Sequence, residues 1–200
     1  MRIETYAGLA REIVARPPRL GGTRLVAVDG PSGAGKTAFA RRLARPLGNP
    51  PVVHTDDLLE GWDDQLTFWT RLDDWVLAPL RRGRPGRYRR YSWVRQECLP
   101  DWIQVPVTPV LIIEGVSAAR ATIRRELTLA AYVTAPADLR LARAIARDGE
   151  SVRARLEVWR RDEDLHFAAD DTADQADLVI DGAPRVAFEL ESEFVRLDKT

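Results

Sequence analysis

The chain has 200 residues, of which 45% are hydrophobic and 30% charged, a composition typical of one soluble globular domain over residues 1–200. The formal net charge is zero, so no overall field attracts nucleic acid or an anionic membrane, and neither is an expected partner. The single cysteine, Cys98, excludes an internal disulfide and fits a reducing compartment. Because residues 1–18 contain no uninterrupted apolar run, we expect neither a signal peptide nor a membrane span there, and we therefore expect a cytoplasmic protein. We expect it to be a monomer or a homodimer.

Alternating segments predict the fold. A predicted amphipathic helix covers about residues 4–16. Five short, nearly continuous apolar runs predict strands buried on both faces, at residues 24–29, 51–55, 109–115, 129–134 and 177–182. Helices are predicted at residues 36–47, 64–81, 118–126, 136–147 and 151–166. This alternation indicates an α/β protein with a parallel sheet flanked by helices, whose functional residues gather at the carboxyl ends of the strands.

The most informative motif is GPSGAGKT, Gly30 to Thr37, between the first of these apolar strands and the following helix. A Gly-rich turn there gathers backbone N–H groups around an anion, with the helix N-terminus behind it. Lys36 would reach the outer phosphates of a nucleotide, and the Thr37 hydroxyl would bind Mg²⁺. Lysine is rare here, since 28 of the 30 basic residues are arginine. The residues of this segment predicted to bind the nucleotide are Gly30, Ser32, Gly33, Ala34, Gly35, Lys36, Thr37 and Ala38.

Carboxylates follow the next two strands along the chain. Asp56 comes directly after the strand at 51–55, where it could accept the proton of an attacking hydroxyl or hold metal-bound water. Its neighbour Asp57 is interpreted as a helix N-cap. Glu114 emerges from the otherwise apolar strand at 109–115, where P-loop proteins place the carboxylate that binds Mg²⁺ through water.

Arginines recur on the helix predicted at 136–147. Arg140, Arg143 and Arg147 stand at positions i, i+3 and i+7 and therefore share one face. A solvated face explains such a stripe equally simply, but this one continues into Arg153, Arg155, Arg160 and Arg161. We predict a lid at about residues 147–165, with Arg140 and Arg143 binding the nucleotide and with Arg143 and Arg147 stabilising the transition state.

The segment RRGRPGRYRRYSWVR is the densest basic patch, with seven arginines from Arg81 to Arg95 and interleaved aromatic residues. Its GRPG stretch predicts the turn of a hairpin inserted at about residues 82–108. Arginine beside aromatic side chains is typical of single-stranded nucleic-acid binding, but an acceptor pocket and a solvated hairpin fit as well. The residues predicted to contact an acceptor are Asp56, Trp62, Arg87, Tyr91 and Trp93.

In this order the motifs resemble the P-loop nucleoside kinase group, specifically the uridine kinase-like proteins related to phosphoribulokinase and pantothenate kinase. The resemblance runs from about residue 24 to residue 182 and rests on GPSGAGKT, the Asp56 position, PLRRG with RYRRYSW, LIIEG, RLARAIARD and ADLVIDG. It implies a three-layer P-loop NTPase fold with a five-stranded parallel sheet in the order 2-3-1-4-5. It also implies ATP and Mg²⁺ as cofactors, Asp56 as general base, Glu114 in the metal shell and a closing arginine lid. The family's hairpin has an aromatic residue followed by Asp, which binds ribose hydroxyls, whereas Tyr91 is followed by Ser92.

These features predict an ATP-dependent kinase that transfers the γ-phosphate to a hydroxyl of a small-molecule acceptor, such as a nucleoside or a similar metabolite. A nucleoside monophosphate kinase is the alternative, favoured by the arginine-rich hairpin, although its ionised acceptor oxygen would not need a base. The guanine-specific N-K-x-D motif of GTPases is absent, because neither lysine follows an asparagine, so the sequence does not predict a GTPase. A non-catalytic nucleotide-binding module and an RNA-binding module are further alternatives, and zero net charge argues against the second.

Overall fold

The structure is a computed structural model that describes residues 1–199. Seven strands form one sheet, and two others form a separate hairpin. In chain order they are β1 (Arg2–Thr5), β2 (Arg24–Asp29), β3 (Val52–His54), β4 (Gly86–Ser92), β5 (Glu97–Val105), β6 (Val110–Glu114), β7 (Leu127–Thr134), β8 (Leu178–Asp181) and β9 (Glu193–Leu197).

Five strands of the large sheet run parallel, in the spatial order β3-β6-β2-β7-β8. Numbered along the chain by themselves, these strands have the order 2-3-1-4-5. Strands β9 and β1, which were not predicted, add to the β8 edge in antiparallel pairing, so the whole sheet has seven strands. Both additional strands are short and partly exposed, and their sequences RIET and EFVRL contain no continuous apolar run.

The α-helices are α1 (Tyr6–Ala15), α2 (Lys36–Ala44), α3 (Trp69–Leu72), α4 (Ala78–Arg81), α5 (Ala137–Asp148), α6 (Arg153–Asp170) and α7 (Thr172–Gln175). A π-helical segment, Asp73–Leu77, joins α3 to α4. The predicted helix at 118–126 is wrong, because this segment forms turns and a short 3₁₀ helix. Side chains compete there for the backbone: the N–H of Ala119 donates to Asp29 at 2.8 Å, and that of Ala121 to Asp170 at 3.0 Å.

Apolar cores fill both faces of the large sheet and make a three-layer molecule. On one face Ile13 of α1 and Phe39 of α2 pack with Val26. On the other, Leu77 of the π-helical segment packs with Ala27. Val26 and Ala27 are neighbours in β2 and point to opposite faces, as strand geometry requires. The carboxyl ends of β2, β3 and β6 therefore lie side by side, beyond the edge of both cores.

The hairpin of β4 and β5 lies within the predicted insertion, but its turn is elsewhere. Residues 93–96 connect the strands, with the N–H of Gln96 donating to the carbonyl of Ser92 at 2.7 Å. The GRPG stretch, predicted as the turn, ends the preceding helix: the N–H of Gly83 donates to the carbonyl of Leu80 at 3.0 Å. Within residues 1–199, no helix has the length and apolar content needed to cross a membrane.

Candidate active site

The GPSGAGKT segment joins β2 to α2. Gly30 has φ 134°, and a Cβ there would lie 2.1 Å from the carbonyl oxygen of Val133. Gly33 has φ 77°, and a Cβ there would lie 2.4 Å from the carbonyl oxygen of Arg140. Both positions therefore require glycine. Helix α2 begins at Lys36, so its free N–H groups follow the loop directly, the arrangement that binds phosphate.

Lys36 lies among the acidic groups of this edge. The side chain is only 9% exposed, and its Nζ donates to the carbonyl oxygen of Pro31 at 3.1 Å. Burial raises the pKa of Asp29 to about 7 and also raises the pKa of Asp56, and the charge of Lys36 opposes both shifts. The ammonium is therefore placed to neutralise negative charge at the loop rather than to pack in a core.

Glu114 ends β6 and is 5% exposed. Its Oε1 accepts from the Thr37 hydroxyl at 2.9 Å and contacts His54 Nδ1 at 2.6 Å. Burial alone would raise the pKa of Glu114, but the hydrogen bond from His54 and the charge of Lys36 hold it below its usual range. The carboxylate is thus ionised at neutral pH.

The second oxygen of Glu114, Oε2, is buried and has no hydrogen-bond partner. A buried, ionised oxygen requires a donor or a cation. A water molecule from the shell of Mg²⁺ would provide the donor, with the Thr37 hydroxyl as a neighbouring ligand. No set of three acidic, histidine or cysteine side chains in residues 1–199 could hold a metal by itself. Thr37 and Glu114 therefore fit the predicted Mg²⁺ site.

Asp56 lies in the 3₁₀ segment Thr55–Leu58 after β3, and its side chain is exposed to a cleft. The surrounding cleft walls raise the pKa of Asp56 by burial, and Glu114 raises it further, while Lys36 and Arg147 oppose the shift. A carboxylate with a raised pKa accepts a proton more effectively. Asp57 does not cap a helix as predicted: no side chain caps this segment, and Asp57 accepts from the Tyr88 hydroxyl at 3.4 Å.

The cleft beside Asp56 contains a cavity of about 540 Å³ with three tryptophans in its wall. Trp62 meets Trp93 and Trp159 edge to face, with ring centroids 5.4 and 5.5 Å apart. Tyr91 packs on Trp93 at 5.3 Å. Beyond the same tryptophans the cleft widens into a hollow of about 1000 Å³, which Tyr91 lines. Four of the predicted acceptor residues thus surround one cleft, and Trp159, for which no role in the site was predicted, joins them.

Arg87, the fifth predicted acceptor residue, lies on the other face of the hairpin. Its neighbour in β4, Tyr88, points inward to Asp57, so Arg87 points outward. The Arg87 guanidinium lies 4.5 Å from the ring centroid of Trp102, and that of Arg89 lies 5.3 Å from it. The assignment of Arg87 to the acceptor site is therefore wrong, because strand alternation places it outside the cleft.

The three arginines predicted to share one face of α5 lie in three different environments. Arg143 reaches across the phosphate loop, donating to the carbonyls of Gly33 at 3.1 Å and Gly182 at 3.2 Å. Arg147 lines the cleft near Asp56 and forms a two-point contact with Asp148 at 2.7 Å. Arg140 is 8% exposed and donates to the carbonyl of Ala135 at 3.1 Å, so its guanidinium is buried beneath the loop rather than free to contact a ligand.

Ser32 forms hydrogen bonds with Glu163, a residue that was not predicted to belong to the site. Its backbone N–H donates to both carboxylate oxygens of Glu163, at 3.1 and 3.0 Å, and its hydroxyl donates to Oε1 of the same group. This N–H is therefore not free for phosphate in the present structure. Glu163 escaped notice because it stands in the highly charged segment RRDED, which looks like a solvated helix face.

A second pocket, of about 350 Å³, opens on the other side of the phosphate loop. Gly35, Ala38 and Phe39 of the loop and α2 line it, together with Arg143 and the segment after β8. The lining residues of that segment are Gly182, Pro184, Phe188 and Leu190. No motif marked residues 184–190 in the sequence. Ala38 and Arg143, both predicted to bind the nucleotide, therefore share this pocket with residues that only the folded chain reveals.

Fold and site together define a P-loop kinase, a phosphotransferase. The model of the phosphoribulokinase / uridine kinase family matches residues 69–189. The chain belongs to this family.

Similar proteins support this assignment. The chain is 29% identical over 147 residues to a uridine kinase of Brevibacillus brevis (strain 47 / JCM 6285 / NBRC 100599), covering 66% of this chain and 69% of the relative. It is 28% identical over 136 residues to inorganic pyrophosphatase TTM1 of Arabidopsis thaliana, covering 64% of this chain but about a fifth (21%) of that longer protein. A solved structure described as a possible uridine kinase, from Bacillus stearothermophilus, superposes with a TM-score of 0.66 at 19% identity, covering 87% of this chain and 96% of the other. The last comparison shows the shared fold.

Proposed function

We propose that the protein transfers the γ-phosphate of ATP to a hydroxyl group of a small-molecule acceptor. The observation that carries this proposal is the position of Asp56, an exposed carboxylate with a raised pKa between the phosphate loop and a cleft lined by tryptophans. A hydroxyl must lose its proton as it attacks phosphorus, and Asp56 would accept that proton.

The phosphate loop would hold the triphosphate through its backbone and Lys36. Mg²⁺, held by Thr37 and through water by Glu114, would neutralise phosphate charge during transfer. His54 contacts the other oxygen of Glu114, so Oε2 would stay available to accept from a water molecule bound to Mg²⁺. Arg147, near Asp56, is placed to offset charge that develops at the transferred group.

The pocket on the far side of the loop would hold the base of ATP. Phe39 and Phe188 provide an apolar surface for a flat ring, and Arg143 crosses from this pocket to the loop. ATP bound in this way would place its outer phosphate between Lys36 and Asp56. Closure of the segment at about 147–165 over the phosphates remains part of the proposal, since Arg147 and Arg155 from it line the cleft.

The acceptor would place a ring or another apolar body against Trp62, Trp93 and Trp159, with its hydroxyl at Asp56. A nucleoside or a similar metabolite fits this description. Ser92, at the place of the family's aspartate, accepts from the N–H of Arg95 at 3.2 Å within the turn. No carboxylate from this position is thus offered to ribose hydroxyls. The monophosphate-kinase alternative is weakened, because two arginines of the hairpin, Arg87 and Arg89, stack on Trp102 outside the cleft.

The test is a screen for ADP release with MgATP across nucleosides, nucleoside monophosphates, sugars and vitamin-like alcohols. We expect turnover with an alcohol that carries a ring. The Asp56→Asn variant serves as the matched control, because acceptor-dependent ADP release that survives this change does not come from a hydroxyl activated by Asp56. Turnover restricted to nucleoside monophosphates would overturn the proposal.

A further inference from the structure

Glu163 of α6 is a buried carboxylate that the proposed reaction does not use. It is 0% exposed. In the described part of the chain no lysine, arginine or histidine forms an ion pair with it. Burying a carboxylate is costly unless hydrogen bonds replace its water. The reason for its burial should therefore lie in the groups that donate to it.

Within residues 1–199, the donors to Glu163 belong to Ser32 and Trp159. Ser32 contributes its N–H and hydroxyl, and Trp159 Nε1 donates to Oε1 at 2.8 Å. The same indole N–H lies 3.2 Å from the Ser32 hydroxyl, so Ser32, Trp159 and Glu163 form one network. The amide oxygen of Gln65 accepts from this N–H as well, at 2.7 Å. Trp159 and Glu163 are four residues apart in α6 and so occupy one face of the helix.

These two partners belong to different parts of the site. Ser32 is in the phosphate loop, and Trp159 packs on Trp62 in the wall of the cleft. One charged group thus connects the surface on which an acceptor would rest to the loop that would hold the phosphate. Charge-assisted hydrogen bonds are short and directional, so they fix the relative position of both partners.

We propose that Glu163 is a positioning residue that locks Trp159 of the cleft wall to Ser32 of the phosphate loop. An acceptor bound against Trp159 would thereby be held at a fixed distance from a phosphate bound at the loop. A ligand that alters the position of Ser32 would also alter the surroundings of Trp159 through Glu163. The inference rests on the proposed nucleotide binding at this loop, and it adds a residue to which the reaction itself gives no role.

The experiment titrates MgADP into the full chain and follows tryptophan emission, while calorimetry measures the Kd independently. Comparison with Trp159→Phe identifies the part of the emission change that comes from Trp159. In the wild type we expect Trp159 to respond, because its N–H is joined to the loop through Glu163. In Glu163→Gln an NH₂ group replaces one carboxylate oxygen and faces donor groups of Ser32 and Trp159, with which it cannot form the wild-type hydrogen bonds. We expect loss of the Trp159 response, because the amide no longer accepts from both Ser32 and Trp159.

Glu157→Gln is the matched control, since Glu157 is exposed on the same helix and lines an outer hollow with Arg160 and Arg161. It should keep the wild-type response and Kd. Should Glu163→Gln not fold, Ser32→Ala removes the hydroxyl from the same network and should also lose the Trp159 response. An unchanged response in either variant, or no Trp159 response in a wild type that binds MgADP, would overturn the inference. A wild type that binds no MgADP by calorimetry would instead overturn the proposed function on which it rests.

Discussion

Three carboxylates close to Lys36 have differently shifted pKa values because their surroundings differ. Glu114 has its pKa held low by the hydrogen bond from His54 against the effect of burial. Asp56 has its pKa raised by burial although its oxygens reach the cleft. Asp29 is fully buried and has a pKa of about 7. The same chemical group is thus suited to bind a metal shell, to accept a proton or to hold a loop, according to its contacts.

Asp56→Asn is expected to lower the rate of phosphoryl transfer about 10²–10⁴-fold, the loss typical of a positioned general base. Asparagine keeps the size of the side chain but cannot accept the proton. ATP affinity should hardly change, because Asp56 faces the cleft rather than the loop. Single-turnover transfer to the acceptor found in the screen measures the effect. Asp57→Asn is the control, and an equal loss in both variants would contradict a specific role for Asp56.

Asp29 predicts a pH dependence of stability. Its pKa of about 7 in the folded protein exceeds the ordinary value of 3.8, so between these pH values the folded state keeps a proton that the unfolded chain releases. Its contribution to the free energy of unfolding is therefore complete below about pH 4 and falls by up to about 4 kcal/mol as the pH rises to 7. Asp29→Asn should flatten this slope, as measured by urea unfolding from pH 4.5 to 7.5. A slope equal to that of the wild type would show that other groups cause it.

At the scale of elements, the hairpin presents two faces with different chemistry. Tyr91 and the connecting Trp93 belong to the cleft, while Arg87 and Arg89 cover Trp102 on the outside. The inner face contacts the site, and the outer face is a cationic surface away from it.

The difference between the two faces of the hairpin predicts different effects on the acceptor KM for a variant of each face. Trp93→Ala should raise the KM for the acceptor about tenfold or more, because it removes an aromatic wall worth about 1–3 kcal/mol. Arg87→Gln combined with Arg89→Gln should leave the KM for acceptor and for ATP unchanged. Steady-state kinetics with the identified acceptor measures both. A large rise in acceptor KM for the arginine pair alone would return these residues to the acceptor site.

The elements show what a sequence can predict here. The five parallel strands were predictable because burial on both faces leaves continuous apolar runs, as in Val110–Glu114. The helix expected at 118–126 was not, because Asp29 and Asp170, distant in sequence, take its backbone N–H groups. The turn at 93–96 was not predicted because it contains neither glycine nor proline. The GRPG stretch contains both residues, but it ends a helix.

The site shows the same distinction. GPSGAGKT, Asp56 and Glu114 were predictable because their chemistry is local to one strand end each. Glu163 and Trp159 could not be assigned, because their role arises from a contact between α6 and a loop about 130 residues earlier in the chain. A carboxylate among arginines looks solvated until the fold shows its partners.

At the scale of the whole molecule, nucleotide binding should stabilise the fold. A ligand that binds only the folded state adds about 2.7 kcal/mol at a hundred times its Kd, so MgATP should raise the Tm. Lys36→Ala should remove most of this rise while still giving a folded protein, since Lys36 belongs to neither apolar core and its Nζ donates to the loop carbonyl of Pro31. Lys36→Arg should also lose it, because a planar guanidinium does not replace a compact ammonium. Thermal unfolding with and without MgATP is the measurement, and equal shifts in all three proteins would contradict phosphate binding by Lys36.

The edge of the large sheet has a consequence for biosynthesis. Strand β1 pairs with β9, and Arg2 lies opposite Arg196. As the chain leaves the ribosome, β1 therefore cannot pair until β9, about 190 residues later, has been synthesised. Until then both β1 and the adjoining edge of β8 offer free backbone hydrogen-bonding groups to other nascent chains. Joining sequence-distant segments is also slow, because loop closure must precede the contact. Formation of β9 thus covers the free edge of β8 and lets the early-synthesised β1 join the sheet as its edge strand.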